Sequence, residues 1–180
     1  MVNMRAMAIR QIRTYPDPVL RAKTSRVEAI DGSLQQLIDD MAETMYAAPG
    51  VGLAANQVGI PLQLAVIDIG GSEEGRSKSR RTLVVLINPE MIAQEGSLVA
   101  EEGCLSIPDL SEKVKRAAKV KVRAQDRNGK AFEIEAEGLM AKALQHEIDH
   151  LNGLLFVDRL SPLKRNIIKR KLKKSLAETA

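Results

Sequence analysis

The sequence predicts an α+β fold, with antiparallel or mixed β-sheets around one central helix and a further helix at the C-terminus. Three observations carry this. Apolar residues recur at helical spacing in three stretches, near 34–45, 139–151 and 163–176. Between the first and second stretches the pattern changes to period two or to short β-branched runs, which mark strands. Helices and strands are segregated along the chain rather than alternating, which is the α+β arrangement. At 180 residues the chain has the length of one domain. Residues 1–160 form its body, and 161–180 form a basic C-terminal helix belonging to the same domain.

Tyr15-Pro16-Asp17-Pro18 opens the chain as a rigid, non-helical segment, because each proline pushes its predecessor toward extended geometry. Asp31-Gly32-Ser33 starts the first helix, with Ser33 as N-cap, and Leu34, Leu37, Ile38, Met41 and Met45 form its buried stripe. Pro49-Gly50 ends it. Gly50 to Gln57 is a loop of small residues. Leu62 to Ile69 is a strand, Gly70 to Arg81 a polar surface loop, and Leu83 to Ile87 a second strand closed by Asn88-Pro89. A further strand ends near Val99. Lys119-Val120-Lys121-Val122-Arg123 and Phe132, Ile134 and Ala136 with Glu133, Glu135 and Glu137 alternate as two strands. Asn128-Gly129 gives them a tight hairpin turn, so basic and acidic faces pair across the strands. Leu139 to Leu151 is helical and stops at Asn152-Gly153. Ser161-Pro162 caps the last helix, which carries Leu163, Ile167, Ile168, Leu172 and Leu176 on one side.

Composition narrows the chemistry. Tyr15, Tyr46, Phe132 and Phe156 are the only aromatics, so the core is aliphatic with Met. One cysteine, Cys104, excludes an intramolecular disulfide framework. The net charge of +4 conceals an asymmetry: seven basic residues and no acid lie between Leu160 and Leu176, against 20 basic and 23 acidic residues elsewhere. No apolar run approaches the roughly 20 residues of a membrane span, and the N-terminus lacks the apolar core of a secretory signal. A cytoplasmic protein with no membrane or DNA partner is expected.

Gln145-His146-Glu147-Ile148-Asp149-His150 places H-E-x-x-H within a helix. Residues four apart share a helical face, so both imidazoles can reach one ion, and Glu147 can touch a water on that ion without ligating it. A hydrolytic site needs a third protein ligand. Beyond His150 the acids are Asp158 and Glu178, in a short and mostly basic tail. Cys104, in Glu101-Glu102-Gly103-Cys104-Leu105-Ser106, is then the natural third ligand, with Gly103 allowing a sharp backbone approach. Taken alone, a single cysteine is more often a small buried apolar residue.

Gly50-Val51-Gly52-Leu53-Ala54-Ala55-Asn56-Gln57, Glu102-Gly103-Cys104-Leu105-Ser106 and Gln145-His146-Glu147-Ile148-Asp149-His150 resemble the three signature motifs of the peptide deformylases, in the same order. The resemblance continues through Pro16-Asp17-Pro18-Val19-Leu20-Arg21 and Leu151-Asn152-Gly153-Leu154-Leu155-Phe156, and is nearest to the bacterial group that includes Gram-negative enzymes. It implies an α+β metal-dependent hydrolase that removes the N-formyl group from the formyl-methionine of nascent polypeptides and releases formate. It also implies Cys104, His146 and His150 as ligands of one divalent ion, Fe2+ in vivo, with Zn2+, Ni2+ or Co2+ able to replace it. Glu147 carries over as general base and acid acting on the metal's water. Gln57 carries over as side-chain oxyanion donor and Leu105 as backbone donor.

Amide hydrolysis requires an activated water, a stabilised oxyanion and a proton for the leaving amine, and these residue types supply all three. Gly50, Val51 and Gly52 are expected to let their loop approach the substrate backbone, and Leu139 and Ala143, at i−7 and i−3 from His146, are the candidates that the resemblance implies for the methionine pocket. Lys142 departs from the apolar residue expected there. Either its stem points inward and its ammonium reaches water, or the helix face is rotated and Lys142 is exposed. The basic last helix offers electrostatic attraction to ribosomal RNA, against the plainer alternative of a solvated face. The rival activity is a zinc endopeptidase of the H-E-x-x-H class, which needs a third ligand other than Cys104.

Overall fold

The computed structural model describes residues 7–70 and 81–180. All but the two ends of the Gly70–Arg81 loop therefore lies outside the described residues. A five-stranded antiparallel sheet has the order β1-β2-β3-β6-β7, from β1 (Gly52–Ala54), β2 (Leu64–Ile67), β3 (Val84–Glu95), β6 (Lys119–Gln125) and β7 (Ala131–Glu137). A two-stranded antiparallel ribbon pairs β4 (Leu98–Cys104) with β5 (Ile107–Arg116). Helices α1 (Gly32–Ala47), α2 (Gly138–Leu151) and α3 (Pro162–Glu178) complete the expected α+β architecture. The helix α2 carries H-E-x-x-H and lies among the strands.

Apolar burial follows the patterns read from sequence. Leu34, Leu37, Ile38, Met41 and Met45 of α1 pack with Leu53, Leu64, Val66, Val85 and Ile87 of the sheet. Ala141, Leu144, Ile148 and Leu151 of α2 pack on another set of sheet residues, including Ala65, Ile67, Leu86 and Val122. A smaller cluster joins Leu20, Ile107, Val114, Phe156 and Ile168. On the outer face of β6 and β7 the expected charge pairing is present. Lys119 pairs with Glu137 at 3.2 Å, Lys121 with Glu133 at 3.1 Å, and Arg123 with Glu133 at 2.9 Å. These pairs are solvated, so they serve register more than stability.

Several local expectations change. Asp31, not Ser33, caps α1: its Oδ1 accepts from Leu34 N at 3.0 Å, and Ser33 Oγ donates to the same oxygen at 2.8 Å. The Gly50–Gln57 segment is not a plain loop but contains β1 and a 3-10 turn, Ala55–Val58. Asn88-Pro89 does not end β3. Asn88 adopts φ +52 and its amide bonds the backbone of Val27 on both sides, so the strand passes through an irregularity and resumes pairing at Glu90 opposite Arg123. Val99 lies near the start of β4, and Cys104 is that strand's last residue. The β6–β7 connection is wider than a two-residue turn. Asp126 N donates to Lys130 O at 2.9 Å, which leaves three residues with Gly129 left-handed, the three-residue hairpin form. On α3, Ile168 is buried and Leu172 partly so, while Leu163 is 72% exposed and Ile167 and Leu176 are also exposed. The five residues do not form one buried stripe: Ile168 and Leu172 find the body, while Leu176, one turn on from Leu172, stays exposed.

Candidate metal centre and substrate cleft

The three scarce residues converge. Cys104 Sγ lies 3.3 Å from His150 Nε2, which lies 3.0 Å from His146 Nε2, and the three ligand atoms fall within 4.8 Å of one another. The two histidines come from successive turns of one face of α2. Cys104 arrives from the end of β4, where the chain turns through Leu105 and Ser106 into β5. Two donors face its sulfur: Ser106 N at 3.4 Å and Gln57 Nε2 at 3.7 Å. One sulfur and two imidazole nitrogens pointing at a common point suit a single divalent transition metal. A Cβ on Gly103 would meet only ordinary contacts, the nearest being Leu110 O at 3.5 Å, so crowding does not require the glycine there.

Behind the donors runs a chain of charge, buried except at its Arg159 end, that the sequence reading did not anticipate. Glu102 Oε1 accepts from His146 Nδ1 at 2.5 Å, and Arg116 grips the same carboxylate through Nε and Nη2 at 3.1 and 2.6 Å. Arg116 Nη1 reaches Asp149 at 2.5 Å, and Arg159 closes on Asp149 at 2.6 and 2.9 Å. Burial alone would raise the Glu102 pKa, but the bonds from His146 and Arg116 outweigh it and hold the carboxyl down at about 2. Glu102 is thus a fixed carboxylate that orients the His146 ring, as outer partners of metal-binding histidines do. The sequence signal was present in Glu102 beside Gly103-Cys104. Arg116 gave none: it stands opposite Leu98 at the far end of β5, and its side chain meets Glu102 and Asp149 only in the folded chain.

Glu147 is 3% exposed, and its Oε2 has no hydrogen-bond partner among the described residues. Burial pushes its pKa up to about 7, with His146 opposing. A carboxylate that gains and loses a proton near neutrality is suited to proton transfer. Gly52 makes room for it, since a Cβ there would sit 2.4 Å from Glu147 Oε1; a Cβ on Gly50 would sit 2.7 Å from Leu105 Cδ1. Both glycines thus admit groups of the site itself. Gln57 is buried and oriented: its Oε1 accepts from Ala54 N at 2.9 Å, and its Nε2 donates to Ser106 Oγ at 3.0 Å, on the side of Cys104.

A cleft of about 820 Å³ opens onto these groups and is lined by Gly50, Val51, Gly52, Gln57, Cys104, Leu105, Leu139, Lys142, Ala143, His146 and Glu147. The structure therefore gathers the sequence-predicted site residues, with His150 beneath them. Lys142 follows the first of its two alternatives in part. It lines the cleft, but its ammonium ends on the Glu101 carbonyl at 3.0 Å.

The polypeptide deformylase sequence model matches residues 9–166. The chain belongs to the polypeptide deformylase family. A peptide deformylase of Syntrophobacter fumaroxidans is 57% identical over 172 residues, 96% of this chain and 98% of that protein. The crystal structure of a peptide deformylase from Legionella pneumophila superposes with a TM-score of 0.85 at 52% identity, covering 96% of this chain and 98% of that one. A peptide deformylase from Synechococcus elongatus, solved in complex with actinonin, superposes with a TM-score of 0.81 at 40% identity, covering 94% and 95%. Deformylase membership and the Cys-His-His cluster thus agree on a metal-dependent hydrolase.

Proposed function

We propose that this chain removes the N-formyl group from formyl-methionyl nascent polypeptides, releasing formate, with Cys104, His146 and His150 holding the metal. The observation that carries it is the convergence of these three donors beside the buried carboxylate of Glu147. A divalent cation held there supplies Lewis acidity and lowers the pKa of water toward neutrality. The rest falls to the chain's own residues. Glu147 takes the proton of the attacking water and delivers it to the departing α-amine. Gln57 Nε2 and the Leu105 N–H, which lies in the turn outside the β4–β5 ladder, donate to the oxygen that becomes anionic. Gly50, Val51 and Gly52 present backbone to the substrate, and Leu139 and Ala143 receive its methionine side chain, with the Lys142 stem completing the wall.

Ferrous iron is our reading of the physiological ion, supported by the family resemblance; a thiolate–imidazole set also accepts zinc, nickel or cobalt. We read the basic helix α3 as a ribosome contact within the same domain as residues 1–160, and the cytoplasm as its location. No helix among the described residues is long and apolar enough to cross a membrane.

The endopeptidase alternative loses its ligand. Asp158 is tied to Arg21 and accepts from Leu155 N, and exposed Glu178 lies at the end of α3 near Lys174. Cys104→Ser distinguishes the two activities. The deformylase account expects metal content and formate release from formyl-Met-Ala-Ser to fall together. An endopeptidase would keep its metal in this variant.

A further inference from the structure

The two metal-site histidines differ in what holds their second nitrogen. His146 Nδ1 rests on Glu102, whereas His150 Nδ1 is buried and has no hydrogen-bond partner among the described residues. Asn56 Oδ1, an acceptor, is buried and likewise has no partner among the described residues. Both residues are almost wholly buried, at 1% and 0% exposure, and they already touch: Asn56 Nδ2 donates to the His150 backbone carbonyl at 2.6 Å. That bond fixes the direction of the amide, because a flipped amide would set oxygen against oxygen.

When His150 coordinates through Nε2, its ring is neutral and the proton resides on Nδ1, which then needs an acceptor. A buried donor and a buried acceptor are thus left open on two contacting residues, and buried waters bond polar groups that are otherwise unsatisfied. We propose that Asn56 is a positioning residue for His150: its Oδ1 accepts the Nδ1 proton through one buried water, fixing the tautomer that leaves Nε2 free for the cation. This rests on the metal role assigned to His150 above. It assigns the two ligands different support, a carboxylate for His146 and a neutral amide for His150. Asn56 thereby steadies the ring without adding a second negative charge behind the metal.

The test uses zinc-loaded, 15N-labelled protein, with two readouts: the His150 Nδ1–H resonance and the rate of zinc loss to a chelator. In the wild type the Nδ1–H is expected to be visible and slow to exchange with solvent. Asn56→Leu should speed zinc loss about tenfold or more, the range for loss of an outer partner, and shift that resonance. Asn56→Asp keeps an acceptor but loses the donor to the His150 carbonyl, and should hold zinc within about twofold of wild type. Equal loss in both variants would overturn the proposal, since it would mean that only the bond to the carbonyl matters. A rapidly exchanging Nδ1–H in the wild type would overturn it without any variant. Wild-type protein that binds no zinc would instead overturn the metal role of His150 itself.

Discussion

Gln57 has its side-chain oxygen committed to the Ala54 N–H, so its NH2 is held toward Cys104 and Ser106 rather than free to rotate. That preorganisation is what an oxyanion donor requires. Gln57→Leu should therefore lower turnover on formyl-Met-Ala-Ser by roughly 10²–10³-fold while metal content stays at the wild-type level; a loss of metal in step with activity would assign Gln57 to the ligand set instead. At this scale much of the site was legible in the sequence, because chemistry-bearing residues are scarce: one Cys, two His and a Glu between them leave few combinations. The charged support behind them was not legible. Glu102, Arg116, Asp149 and Arg159 come from four separate places in the chain and meet only in the fold, and acids and arginines are too common for spacing alone to single them out. The same holds for Asn56, whose partner in the fold lies 94 residues away.

The position of α2 depends on how its C-terminal end is closed. Gly153 N donates to His150 O at 3.0 Å and Leu154 N to Asp149 O at 2.9 Å, with Gly153 at φ +75, a Schellman closure on the helix that carries both histidines. A Cβ at this position would also stand 2.5 Å from Arg21 O. Gly153→Ala should accordingly destabilise the fold by about 1–3 kcal/mol, measured by urea denaturation of the metal-free protein; an unchanged midpoint would show that the closure is dispensable. Helix ends such as Asn152-Gly153 and Ser161-Pro162 were readable because caps are local chemistry, and Ser161 does cap α3 by accepting from Lys164 N. The course of β3 was not readable. Asn88-Pro89 has the composition of a strand terminator, and only the Asn88 amide bonded to Val27, well separated in sequence, carries the strand onward.

Across the whole molecule, charge is divided between a mildly acidic body and a basic helix α3 whose cations are mostly solvent-exposed. Apolar Leu163 and Ile167 are exposed among them, while Ile168 anchors the helix to the body. Truncation after Pro162 should weaken ribosome binding and flatten its salt dependence while formate release from a short peptide is spared; equal ribosome affinity in the truncated protein would remove the role assigned to α3. The balance of charge could be read directly from the sequence. The failure of the apolar residues of α3 to form one buried stripe could not, because whether a side chain finds a partner is decided by the body it faces. The central claim, that buried Glu147 moves the proton while Cys104, His146 and His150 hold the metal, is tested most directly by Glu147→Ala, assayed together for bound metal and for formate released from formyl-Met-Ala-Ser. The account predicts metal near one equivalent with formate release nearly abolished. Wild-type formate release in that variant, or loss of the metal with Glu147, would contradict it.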